Sequence, residues 1–202
     1  MTQRPSQRPF PWEAHYPEGV RWDAPLAIGT LPALLDQAIK SFADRPALEF
    51  RGQRMTYAEL GARVDRLARG LLALGVLPGD AVALLLTNSP AHPIAFFAVQ
   101  RIGAVVVHLS PLDPARSVER KLQDSGAHTL IVGNLPILLP QALAARQSGA
   151  VNTLIVAEDL DWGSGGVDVP VPPGARTLRD LDGPEADWPT VDPHDLSVLQ
   201  YT

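Results

Sequence analysis

Four short runs, Ala81–Leu86, Ala104–Val107, Thr129–Val132 and Thr153–Val156, carry apolar side chains at consecutive positions, not at alternate ones. A strand that shows apolar side chains on both faces must be covered on both, and strands of that kind lie in sheets sandwiched between helix layers. Each gap between these runs holds one segment with helical apolar spacing. Asn88-Ser89-Pro90 offers a cap and a first-turn proline to a helix whose Ile94, Phe97, Ala98 and Ile102 share a face, and Gly103 ends it. Asp113-Pro114 opens a second helix through Val118 and Leu122 to Gly126, and a third lies between about Leu135 and Gln147. Repeated strand, helix and strand units of this length predict an α/β fold with a layered, largely parallel sheet flanked by helices.

The elements upstream are equally regular. Leu31, Leu34, Leu35, Ala38, Ile39 and Phe42 fall on one helical stripe, with Thr30 as the N-cap. Ala47–Phe50 and Arg54–Thr56 flank Arg51-Gly52-Gln53 and predict a short hairpin. Thr56-Tyr57-Ala58-Glu59 fits a capping box, Leu60, Val64, Leu67, Leu71 and Leu74 form the next apolar stripe, and Gly75 supplies a left-handed stop. Leu67→Asp is expected to unfold this region. Residues 1–29, rich in proline and aromatics without periodicity, read as an extended arm.

Charge divides the rest of the chain. Ten acidic residues between Glu158 and Asp195 stand against Arg176 and Arg179, in a stretch that also holds Gly163-Ser164-Gly165-Gly166 and a proline-rich run. It reads as a solvated excursion. The organisation is then 1–29 arm, 30–157 α/β subdomain, 158–195 acidic excursion and 196–202 the start of a strand. The net charge of -5 gives no broad basic field, so nucleic acid is not an expected partner. No apolar run approaches the length of a membrane span, no signal-peptide pattern opens the chain, and cytosol is the default. Without cysteine there is no disulfide frame, thiolate site or cysteine nucleophile.

Motifs for chemistry are missing within these residues. Gly163–Gly166 lacks the lysine, the Ser/Thr and the helix pattern of a phosphate loop, and no Gly-x-Gly-x-x-Gly follows a strand. The carboxylates show no calcium-loop spacing. The five histidines include no zinc-type pair, and Ser89 and Ser110 lack a nucleophile elbow. His108 follows a buried strand, where a ligand could lie or where a strand-end histidine simply finds a hydrogen bond. No catalytic residue is assigned.

Several segments, in order and spacing, resemble the amino-terminal part of adenylate-forming (AMP-binding) enzymes. They are Met55–Leu60, Leu67–Leu72, Gly75-Val76-Leu77-Pro78-Gly79-Asp80, Leu86-Thr87-Asn88-Ser89 and Phe96–Val106. Ser110-Pro111-Leu112 followed by Leu122–Ala127 is similar to medium- and long-chain fatty-acyl-CoA synthetases. The resemblance covers roughly residues 30 to 202, departing from the family pattern at Ala81, where an arginine is usual, and at Ser110, where asparagine is common. It implies that Asp195–Thr202 leads into the loop that holds the ATP phosphates, that Thr202 is a phosphate (cofactor) or magnesium contact, and that Tyr201 packs behind it. An ordinary strand-end threonine is the alternative for Thr202. The resemblance further implies ATP, Mg2+ and CoA as cofactors of the whole enzyme, a fatty acid as substrate, peripheral membrane contact and a homodimer among its associations. The 202 residues are then expected to be an amino-terminal fragment without ligase activity of its own. A free-standing, non-catalytic α/β binding module is the competing expectation.

Overall fold

The computed structural model describes residues 10–21, 23–25 and 28–201. In the arm, Glu13–His15 form one 3-10 turn beside the stacked rings of Phe10 and Trp12; the rest of that expectation falls partly outside the described residues. Helix α1 (Leu31–Phe42) starts where Thr30 Oγ1 accepts from the Ala33 amide at 3.3 Å. Strands β1 (Pro46–Phe50) and β2 (Gln53–Thr56) make the antiparallel hairpin, closed by two residues rather than three. Arg51 at φ 47° and Gly52 at φ 78° both take left-handed backbone, the twist a two-residue hairpin turn requires. Helix α2 (Tyr57–Ala73) carries both halves of its capping box, with Glu59 N donating to Thr56 Oγ1 and Thr56 N to Glu59 Oε2.

The main sheet contains β3 (Ala81–Leu85), β4 (Val105–His108), β5 (Thr129–Gly133), β6 (Thr153–Ala157), β7 (Arg176–Thr177) and β8 (Val198–Gln200). All are parallel, in the order β7-β6-β5-β3-β4-β8. Consecutive apolar residues do divide between the two faces. Val82, Leu84, Val106, Ile131 and Ile155 pack beneath α1, α2 and α3 (Ala91–Arg101), with Leu67, Leu71, Ile94 and Ala98. Ala83, Leu85, Val107, Leu130, Val132, Leu154 and Val156 pack beneath α4 (Ala115–Ser125) and α5 (Leu139–Gln147), with Val118, Leu122 and Ala142. β8 obeys the same rule, Val198 meeting the first cluster and Leu199 the second.

Three expectations shift in detail. The N-cap of α3 is Pro90, without a side-chain cap; the turn is closed by backbone instead, His92 N donating to Ser89 O at 3.0 Å. Helix α5 begins at Leu139, because starting at Leu135 would put Pro140 in the helix interior, against the carbonyl four residues back. The acidic stretch is only partly solvated: Asp159, Trp162, Leu178 and Leu181 are buried, and β7 extends the sheet. No helix among the described residues is long and apolar enough to cross a membrane.

Candidate functional site

β3 and β4 are neighbours, yet their chains leave toward opposite layers, β3 into α3 and β4 into α4. A parallel sheet opens a crevice at the carboxyl ends of strands where its connections diverge in this way. His108 ends β4 there, and His92 stands in the first turn of α3. His92 Nε2 and His108 Nδ1 lie 3.4 Å apart, and the His108 ring stacks on Phe96 at 5.9 Å between centroids. Burial holds both imidazoles below their ordinary pKa, and for His92 the neighbouring His108 adds to it. Both shifts favour the neutral imidazoles, and which ring donates to the other is set by the tautomer. Sequence spacing singled out His108 alone; a separation of 16 residues across a strand and a helix leaves no periodic signal for His92.

The same carboxyl edge receives β8, whose Gln200 pairs with His108. Three ladder positions hold β8, and side chains from both layers add to them. On the α3 side, buried Gln100 donates to Ser197 O at 2.7 Å and accepts from Ser197 Oγ at 2.8 Å. On the α4 side, the Tyr201 hydroxyl donates to Asp124 Oδ2 at 2.7 Å, and Lys121 Nζ lies 5.5 Å from the centre of its ring. Lys121 is also ion-paired to Asp113 at 2.7 Å, whose carboxylate accepts from Ser110 N. Burial, and next the Asp124 contact, pushes the Tyr201 phenol above its ordinary pKa. Thr202, the residue assigned from sequence to phosphate or magnesium, follows Tyr201 directly but lies outside the described residues.

At the opposite side of the sheet a buried polar centre replaces the expected open loop. Asp159 Oδ2 accepts from Arg51 Nη1 and from Val167 N, both at 2.9 Å, and its own amide donates to Asn134 Oδ1 at 2.7 Å. The glycines between them serve packing: a Cβ on Gly166 would stand 2.8 Å from Asp159 O, and Gly163, at φ 97°, would push its Cβ to 3.0 Å from Arg51 O. Gly163 and Gly166 pack against the backbone of Arg51 and of Asp159–Leu160, and the Asp159 carboxylate accepts from the amide of Val167, which follows them. Among the described residues no three His, Asp or Glu side chains converge as a metal set. A cavity of about 150 Å³ bounded by Thr30, Gln100, Gly103, Asp192 and Ser197 lies at the amino ends of β4 and β8, away from the crevice.

A polar carboxyl edge on a doubly wound sheet is common to many enzymes, so kinship decides between them. Residues 35–202 match the family of AMP-binding enzymes. The chain belongs to that family. Among its relatives in the family, the long-chain-fatty-acid–CoA ligase of Bacillus subtilis (strain 168) is 26% identical over 211 residues, covering 95% of this chain and 37% of the ligase. That of Escherichia coli O6:H1 is 34% identical over 123 residues, 60% of this chain and 22% of the ligase. The anthranilate CoA ligase AuaEII, solved with anthranoyl-AMP, superposes with a TM-score of 0.74 at 22% identity, over 89% of this chain and 33% of that one, which establishes a common fold. The chain thus spans between 22% and 37% of the length of these proteins.

Proposed function

We propose that this chain is the amino-terminal part of an ATP-dependent ligase that activates medium- or long-chain fatty acids, first as acyl-adenylates and then as CoA thioesters. The observation that carries the reading is the similarity to a long-chain-fatty-acid–CoA ligase over nearly the whole chain. Its chemistry is that a carboxylate is a poor electrophile until adenylation gives it a good leaving group, a step that needs ATP with Mg2+. The same reading puts the enzyme in the cytosol, in fatty-acid metabolism, and makes Thr202 the first hydroxyl to meet phosphate or magnesium.

The described residues fit the frame of such a site and not its charge. At the carboxyl edge beside β8, Lys121 is engaged by Asp113 and by the Tyr201 ring. Stabilising a transferring phosphoryl group takes several preorganised donors. Those donors would have to come from beyond Thr202, so the 202 residues alone should not catalyse adenylation. The test is pyrophosphate release with ATP, Mg2+, CoA and a panel of fatty acids, measured for this chain and for the product of the reading frame continued past codon 202. The reading expects turnover only from the longer product. Turnover by the short chain would refute its inactivity, and a downstream frame without a glycine-rich phosphate loop would leave the free-standing binding module as the better account.

A further inference from the structure

We propose that His92 and His108 together bind a divalent transition-metal ion, of the Zn2+, Ni2+ or Cu2+ class, in the crevice at the carboxyl end of β4. The geometry of the two rings carries this, whatever reaction the whole protein catalyses. His92 Nε2 and His108 Nδ1 lie 3.4 Å apart, and the ring centres 5.2 Å apart with the planes inclined at 37°. A well-formed hydrogen bond is shorter, about 2.9–3.0 Å, and nearly straight. A straight bond at the observed nitrogen separation would set the ring centres about 5.7 Å apart. The contact is therefore both too long and too bent to be a good hydrogen bond. Two imidazoles on one tetrahedral ion, with metal–nitrogen bonds of about 2.0–2.1 Å, place their nitrogens about 3.3–3.4 Å apart and their ring centres about 5.2–5.3 Å apart. The two rings already meet both separations.

The elements that carry the rings hold them in this relation. His108 is in the sheet ladder, paired with Leu84 of β3 on one side and Gln200 of β8 on the other. Its ring stacks on Phe96 at an interplanar angle of 14°, and Phe96 stands one turn after His92 on the same helix. One aromatic side chain thus sets the height of the strand histidine against the helix histidine. Both histidines are half-buried, so water can reach them. Among the described residues no third His, Asp or Glu joins the pair, which leaves the other coordination positions to water. Imidazole donors suit Zn2+, Ni2+ and Cu2+, whereas Mg2+ takes oxygen ligands, so this ion is distinct from one that accompanies ATP. A dication in the first turn of α3 also works against the helix dipole. The site should accordingly fill and empty with the supply of free ion.

The test is calorimetric titration of the tag-free 202-residue chain, stripped by chelator, with Zn2+ in a non-coordinating buffer. The chain should bind one equivalent saturably, and Mg2+ in its place should not bind. His92→Gln and His108→Gln should each abolish Zn2+ binding. The triple variant His15→Gln/His128→Gln/His194→Gln, which removes the exposed histidines, should bind like the parent. A copper spectrum decides the matter even if a variant fails to fold. With one equivalent of Cu2+, the electron paramagnetic resonance of the parent should show splitting from two imidazole nitrogens. No saturable Zn2+ binding by the parent overturns the proposal, as does Mg2+ binding of equal strength. So does binding retained in either folded single variant, binding lost in the folded triple variant, or a copper spectrum without two nitrogens.

Discussion

Asp159→Ala tests whether the acidic stretch is part of the fold. The side chain of Asp159 is 8% exposed and that of its partner Arg51 is 29% exposed, so the pair is largely withdrawn from water. Removing one member of a buried ion pair costs about 3–5 kcal/mol because the other charge stays behind; with Arg51 still partly hydrated, about 2–3 kcal/mol is the appropriate share. The Val167 amide loses its acceptor as well, adding about 1 kcal/mol. The sum, about 3–4 kcal/mol, compares with a total stability of about 5–15 kcal/mol for a typical domain.

In urea, with a slope of about 2–3 kcal/mol per molar, the midpoint should fall by about 1–2 M at unchanged slope. Asp159→Asn keeps a carbonyl acceptor for Val167 N and should lose about half as much. High salt should not abolish the difference between parent and variant, since buried pairs are screened little. A midpoint shift below about 0.3 M for Asp159→Ala would mean that Arg51 and Val167 find water without cost, and would refute the view of the 158–167 segment as a folded strap.

Three further outcomes follow from other parts of the chain. His92 and His108 have depressed folded-state pKa values, so the unfolded chain takes up protons first. Stability should be full above about pH 6.5 and fall as pH drops through that value towards the folded ones. Urea midpoints between pH 5 and 8 would show this slope, and the His92→Gln/His108→Gln double variant should flatten it. Thr56→Ala removes the acceptor for Glu59 N and should lower stability by about 1 kcal/mol in thermal unfolding, with no change in ligand binding. Leu196, 59% exposed beside the edge strand β8, should promote self-association of the 202-residue chain; Leu196→Lys should reduce light scattering, and unchanged scattering would place the contact elsewhere.

What sequence could reveal was whatever repeats locally. Val82 to Leu85 divide strictly between two helix layers because side chains alternate along a strand, and α2 begins after its N-cap Thr56 because that cap closes within three residues. The composition of 158–195 misled for the converse reason. Its acids outnumber its bases, yet one of them is neutralised by Arg51, 108 residues earlier, and that pairing leaves no trace in local charge. Arg101 is a similar case: it is buried on α3 against Asp36 of α1 and 3.2 Å from Asp65 of α2, though the latter contact lacks hydrogen-bond alignment. Burial raises the Asp65 carboxyl above its ordinary pKa, Arg101 opposing the rise.

Apart from the Arg101 contacts between α1, α2 and α3, the long-range polar contacts named above at β8 and beyond β6 gather towards the edges of the sheet. The centre of the sheet, β3 and β5, is held by ladder bonds on both sides and by apolar cover, and needs little else. In the main sheet β7 and β8 are the edge strands, two and three residues long. Gln100–Ser197 and Tyr201–Asp124 gather at the β8 edge, and the Asn134–Asp159–Arg51 centre gathers beyond β6 towards the β7 edge. Where the ladder stops, side chains from distant helices and turns take over the task of fixing the backbone. Apolar periodicity therefore reports which face each strand residue covers, at β8 as in the middle of the sheet, and says nothing of the long-range polar contacts at the margins. The margin beside the switch point is also where a ligand would meet the chain, so the residues hardest to read from sequence are the ones that position the candidate site.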